Sequence, residues 1–294
     1  MNKRSSGVAA TLAAIALGAV VQVPAQAAAS GNAIVEIKNV AYGQCLQPGR
    51  VDDFDWLVLA PCSGSPAQQW ELVPMRDSKL VLRNIGDGTC VNGWAGVLPT
   101  KCHAENADQH ADLVPDAAGS VKLKYGNNYA DTTSYKYSGT LSAYPASDTD
   151  HQRWLVREVG EASAPVDTTG KVVSFRSFED GTCIAANAGN ASHLTCADDD
   201  RQRFARVELG DGVFQLRNVA SGTCIGKYGV YVHLRTACAA DDTGQHFRLD
   251  TDELGYSLIR HVEGEVLTPF SGNEVGSYRH DSGLTWQKWE ASVA

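Results

Sequence analysis

The chain has 294 residues, 43% of them hydrophobic and 20% charged, and a formal net charge of −9 from 25 Lys and Arg against 34 Asp and Glu. An acidic chain without a basic stripe argues against nucleic acid and anionic membranes as partners. Eight cysteines, 28 glycines and no long helical pattern point to an exported, turn-rich, all-β protein.

In chain order, M-N-K-R is followed by an apolar run from Val8 to Val23 and then by P-A-Q-A-A-A, with Ala25 and Ala27 in an A-x-A cleavage pattern. Residues 1–27 therefore read as a secretory signal peptide. No Cys near the cut suggests a lipid anchor, and no second long apolar run follows, so a secreted, extracellular protein without membrane insertion is expected. Next comes E-I-K-N-V-A-Y-G-Q-C, ending at Cys45: a short strand, a turn with Gly at a fixed offset, and a strand starting at Cys. The same phrase ends at Cys90, Cys183 and Cys224.

A second motif runs in phase with it. Q-Q-W at 68–70 returns as Q-R-W at 152–154, Q-R-F at 202–204, Q-H-F at 245–247 and Q-K-W at 287–289; Q-H-A at 109–111 is a degenerate copy with Ala111 in the Trp place. The glutamines Gln68, Gln109, Gln152, Gln202, Gln245 and Gln287 are spaced by 41, 43, 50, 43 and 42 residues. Six units of about 42 residues follow, a period shared by propeller blades and other repeat folds. The cysteines fall as pair, pair, none, twice over, and the long interval holds G-E-A-S-A-P-V-D-T-T-G at 160–170. A propeller has no reason to modulate every third blade, whereas two three-unit domains joined by a linker have one. The expected organisation is 33–159, a linker at 160–170, and 171–294. The last unit ends at Trp289, so no further domain is expected.

The repeat favours disulfides between neighbours: Cys45–Cys62, Cys90–Cys102, Cys183–Cys196 and Cys224–Cys238. Each closes a short loop, worth about 3 kcal/mol in the chain-entropy model. No pair has C-x-x-C spacing, so neither a metal nor another cofactor is expected. Gln and Trp of each tripeptide, two apart on a strand, should share one face, with the ring in the core and the Gln satisfying backbone groups of neighbouring loops.

Three such units per domain, with G-x-C early and Q-x-W late, resemble the ricin-B-type β-trefoil lectin family over essentially all of 33–294. The resemblance implies two tandem, disulfide-stapled β-trefoil domains and a carbohydrate-binding function, with galactose-type glycans the commonest ligands. It also implies three site elements per unit: an Asp two residues after the first Cys, an aromatic two residues before the second, and a polar residue beside the Q-x-W Gln. A carboxylate accepts two hydroxyl bonds, and a flat ring covers the apolar face of a pyranose.

Unit 1 offers Gln47 and Ala60 in the Asp and aromatic slots, unit 2 Asn92 and Thr100, unit 4 Ala185 and Leu194, unit 5 Gly226 and Thr236; none qualifies. Unit 3, aligned with Tyr129 in the first Cys slot, offers Asp131, Tyr144, His151 and Gln152, with Tyr135 and Tyr137 in the intervening loop. It is the expected sugar pocket. Unit 6 offers a second, altered candidate with Tyr278 and Gln287, but Thr268 or Pro269 stands in its Asp slot. Trp56 and Trp94 read as loop anchors.

No G-x-S-x-G, H-E-x-x-H or Ser-His-Asp pattern occurs, and the repeats use the whole chain, so an enzyme is not expected and no catalytic residue is assigned. Two alternatives stay open. One is a protein-binding scaffold, or the binding subunit of a secreted multi-chain complex of toxin type, with mostly decayed sugar sites. The other is a trefoil protease inhibitor, for which no exposed rigid loop can be identified.

Overall fold

The computed structural model describes residues 32–294, except 95, 117–118, 136–138 and 283–284. The leader expected over 1–27 lies outside the described residues. Among them no helix is long and apolar enough to cross a membrane.

The described residues form two twelve-stranded sheets, one from strands between Ala33 and Glu161, the other from strands between Val172 and Val293. In the first, Ala33–Asn39, Gln69–Pro74, Leu80–Asn84, Ala111–Pro115, Val121–Tyr125 and Trp154–Glu161 pair in sequence, and the last pairs back with the first. The ring is closed, so these six strands leave no free edge between them. The other six strands form three hairpins: Cys45–Val51 with Phe54–Ala60, Cys90–Asn92 with Leu98–Thr100, and Asn128–Asp131 with Ser142–Tyr144. The second sheet repeats the plan. Val172–Ser177, Phe204–Gly210, Val213–Asn218, Phe247–Thr251, Tyr256–His261 and Trp289–Val293 close the ring. Cys183–Asn187 with Asn190–Leu194, Thr223–Tyr228 with Tyr231–Ala237, and Val266–Pro269 with Val275–Tyr278 are the hairpins. A six-stranded barrel with three hairpins in threefold repetition is a β-trefoil, and the protein holds two. The strand Trp154–Glu161 runs two residues into the segment expected as linker, because Ile34 and Ala33 pair with Gly160 and Glu161.

The cores follow the repeat. Trp70, Trp154, Phe204, Phe247 and Trp289 are all fully buried. The three indole N–H groups donate to the carbonyls of Leu46, Ala130 and Leu267. Ala111 leaves unit 2 without an aromatic. Its cross-strand partner Tyr125 supplies one, laid so close to Gly93 that a β-carbon there would come 2.2 Å from the ring. The tyrosine thus needs the glycine.

The tripeptide itself is not one strand. Each Gln ends a single 3-10 turn, at Pro66–Gln68, Ala107–Gln109, Asp150–Gln152, Asp200–Gln202, Thr243–Gln245 and Thr285–Gln287, and the strand follows it. The expectation that Gln and Trp share a strand face fails for that reason. The backbone role holds. Every Gln is buried; its Oε1 accepts from the backbone N–H of Ser63, His103, Ser147, Ala197, Ala239 or Asp281. Its Nε2 donates to the carbonyl of Pro61, Lys101, Pro145, Thr195, Ala237 or Arg279. One side chain therefore pins the segment that leaves each hairpin, satisfying polar groups whose burial would otherwise cost free energy. All four disulfides join neighbouring cysteines, and no cysteine is free among the described residues.

The two trefoils touch. Val73, Met75 and Val81 of the first pack with Leu254 and Tyr256 of the second. The His103 ring sits edge-on to Phe178, centroids 5.3 Å apart, and Phe178 meets Tyr256 at 4.6 Å. Buried Lys288 donates to Glu105 at 2.7 Å across the junction and to Asp252 at 2.9 Å.

Candidate functional site

The hairpin registers fix which residues occupy which slot. In the disulfide units the first Cys pairs with the residue two before the second: Cys45 with Ala60, Cys90 with Thr100, Cys183 with Leu194, Cys224 with Thr236. In unit 3 Tyr129 pairs with Tyr144, which makes Tyr144 the aromatic-slot residue and Asp131, opposite Ser142, the Asp-slot residue. In unit 6 Val266 pairs with Tyr278, so the Asp slot is Thr268 and not Pro269.

In unit 3 the slots are filled, but their groups are largely engaged in the fold. Asp131 is 2% exposed, and its Oδ1 accepts from the Thr133 N–H at 2.5 Å, an Asx-type turn. Thr132 bonds His151 through Oγ1 to Nδ1 at 3.1 Å. The His151 ring lies 5.8 Å from that of Tyr42. Tyr135 donates its hydroxyl to the Leu59 carbonyl at 2.7 Å and accepts from the Leu59 N–H, so it ties two units together. Gln152 is the buried clamp already described. Tyr144 is the open member, 44% exposed. Tyr137 lies outside the described residues.

Unit 6 is more open. Thr268, Phe270, Tyr278, His280, Trp286 and Gln287 are among the residues lining a cavity of 590 Å³. Phe270 and Tyr278 are stacked, centroids 5.3 Å apart and planes inclined by 27°. Phe270 and Trp286 are each 45% exposed, so apolar ring surface faces solvent in a concave site. Polar groups share the wall. His280 Nδ1 is 3.1 Å from Gln287 Oε1, and the carboxylate-bearing Asp281 follows it. Thr268 donates to the Val266 carbonyl, which leaves its oxygen as an acceptor. Gly276 makes the arrangement possible: a β-carbon there would lie 2.4 Å from the Tyr278 ring, which folds back across the bare backbone.

Phe270, Gly276 and Trp286 were not singled out in the sequence. Trp286 stands in the rim position before Gln287, and that offset alone could have marked it. Phe270 and Gly276 carry no signal until the register of a cysteine-free hairpin is known.

One group with metal-ligand spacing exists among the described residues: His261, Glu263 and Glu265 place donor atoms within 4.8 Å of one another. Lys227 Nζ occupies it, 2.8 Å from Glu263 and 3.3 Å from Glu265, and these carboxylates hold the ammonium above its usual range despite burial.

Topology, stapled hairpins and the Gln clamps define the class: a disulfide-stapled tandem β-trefoil. Residues 150–231 match the family described as ricin-type β-trefoil lectin domain-like. No curated protein matches the sequence. Among solved structures the chain is similar to a mosquitocidal holotoxin, at 10% identity and a TM-score of 0.38, covering 89% of this chain and 33% of that one. It is also similar to the hemolytic lectin CEL-III, at 17% identity and a TM-score of 0.35, covering 89% of this chain and 64% of that one. A ricin B-like lectin of Macrolepiota procera, solved with lactose, has 17% identity and a TM-score of 0.36, covering 43% of this chain and 96% of that one. The chain spans a third of the toxin and under two thirds of CEL-III.

Proposed function

We propose that this is a secreted carbohydrate-binding protein that acts by binding and not by catalysis, with its principal sugar site in the sixth unit. The observation that carries the reading is the cavity walled by Phe270, Tyr278 and Trp286 with Thr268, His280 and Gln287 beside them. Half-exposed rings offer a flat apolar surface to the C–H face of a pyranose, and the polar groups fix its hydroxyls. The family match over 150–231 favours the same function. Four closed disulfides suit an oxidising compartment outside the cell. Tyr144 of the third unit, with Asp131 behind it, is a second, shallower site. The sequence favours that unit; side-chain exposure favours the sixth. Galactose-type glycans are the first ligands to try.

A scaffold or binding subunit of a secreted complex is the other reading. Its support is that units 1, 2, 4 and 5 have neither slot filled, so most of the trefoil surface is free for a protein partner.

A glycan array probed with the wild type, Trp286→Ala, and Tyr144→Ala separates the assignments. Trp286→Ala is expected to lose most binding and Tyr144→Ala a minor part. Full retention by Trp286→Ala removes the sixth-unit assignment. Absence of wild-type binding to every glycan removes the lectin reading.

A further inference from the structure

We infer that the sixth-unit site continues into a second subsite, formed where the fifth- and sixth-unit hairpins meet, and that the protein recognises an extended oligosaccharide and not a lone sugar. This rests on the carbohydrate reading of the same site. Along the strand Val275–Tyr278 side chains alternate, so Glu274, Gly276 and Tyr278 project to one face. Residues opposite one another on paired strands also share a face. Gly276 pairs with Thr268 on one side and Tyr231 on the other, and the bond from Ser277 N–H to the Val230 carbonyl, 3.0 Å, locks that second contact. Thr268, Tyr278, Glu274 and Tyr231 therefore stand on one continuous surface.

At its far end this surface opens on a second cavity of 350 Å³, lined by Asn190, Tyr231, His233 and Glu274 among others. Tyr231, at 66% exposure, is the most exposed aromatic of the second trefoil's described residues. The Glu274 carboxylate is exposed and forms no ion pair with a described residue, although its carbonyl accepts from the Phe270 N–H. An open ring beside a free carboxylate is the pairing of groups that holds a sugar: a face to stack on and an acceptor for two hydroxyls. The first cavity lacks that carboxylate in its Asp slot, where Thr268 stands.

Gly276 pairs with Thr268, which lines the first cavity, and with Tyr231, which lines the second. With no side chain, it lets the Tyr278 ring lie across the strand, so no side chain rises between Tyr278 and Glu274 on that face. From Glu274 to Tyr278 is about 13 Å of strand at roughly 3.3 Å per residue, a span one ring cannot cover and a short oligosaccharide can.

Calorimetric titration with galactose, lactose and a galactose-terminated tetrasaccharide tests this. The wild type is expected to bind the tetrasaccharide about tenfold or more tightly than galactose, the gain from one stacked ring and one charge-assisted hydrogen bond. Tyr231→Ala and Glu274→Gln, both at exposed positions, should abolish that gain and leave galactose affinity unchanged. Trp286→Ala should weaken all three ligands. A tetrasaccharide that binds no tighter than galactose overturns the inference alone, as does a gain that survives Tyr231→Ala. No binding of any of the three probes overturns the inference and the galactose-type reading together.

Discussion

Tyr125 gives the sharpest test of how the degenerate second unit is held together. Its ring replaces the core aromatic that Ala111 omits, but its hydroxyl is buried and has no hydrogen-bond partner among the described residues. Burial alone drives the phenol well above its usual range. An unpaired buried hydroxyl costs about 1–3 kcal/mol, whereas removing one oxygen leaves a void worth on the order of 0.3 kcal/mol. Tyr125→Phe should therefore stabilise the protein by about 1–2 kcal/mol, the reverse of the usual effect of a core substitution. The companion Gly93→Ala should destabilise it by roughly 2 kcal/mol, because the new methyl would meet the ring at 2.2 Å. Urea unfolding with the disulfides intact reads both as a shifted midpoint at constant slope. A lower midpoint for Tyr125→Phe would mean that the hydroxyl is satisfied and that the account of this unit is wrong.

Three further outcomes follow from the same geometry. Gln152→Ala strips partners from the Ser147 N–H and the Pro145 carbonyl and should cost about 2–4 kcal/mol of stability; loss of glycan binding at unchanged stability would instead make Gln152 a ligand residue. Burial, reinforced by Lys288 at the first site, holds His103 and His261 below the usual imidazole range, so the unfolded chain takes up protons first. Stability from these two groups is intact above about pH 6.5 and is lost as pH falls from there toward the lowered folded values, and a melting temperature that is flat from pH 7 to 5 would contradict this. Lys288→Ala leaves half-buried Asp252 without its cation and cuts the bond to Glu105, so it should cost about 1–3 kcal/mol and loosen the junction; unchanged protease resistance around 160–170 would argue that the apolar contacts hold the trefoils unaided.

Much of the fold was legible from spacing. Two motifs in phase through six units specify a barrel strand, a hairpin and a returning strand, because every unit must repeat the same burial. Neighbouring cysteines pair because each pair brackets one hairpin. The Gln was correctly read as a backbone partner but wrongly placed on the strand, since nothing in Q-x-W distinguishes a strand start from the end of a 3-10 turn.

The site divides differently. The sequence by itself determined the repeat, its phase and the list of slots, because backbone pairing and core volume recur with the period. Only the tertiary structure decided which slot residues stay exposed and which are engaged in the fold. Asp131 matches its slot, yet the turn at Thr133 folds over it and uses its oxygen. Tyr135 looks like a platform, yet its hydroxyl is bound to Leu59, 76 residues away in sequence. Gly276 is unremarkable in the chain, yet the ring of Tyr278 rests on it and the hairpin carrying Tyr231 packs alongside. Exposure and contact between distant units are properties of the packed barrel, and a motif with a period of one unit carries no information about them.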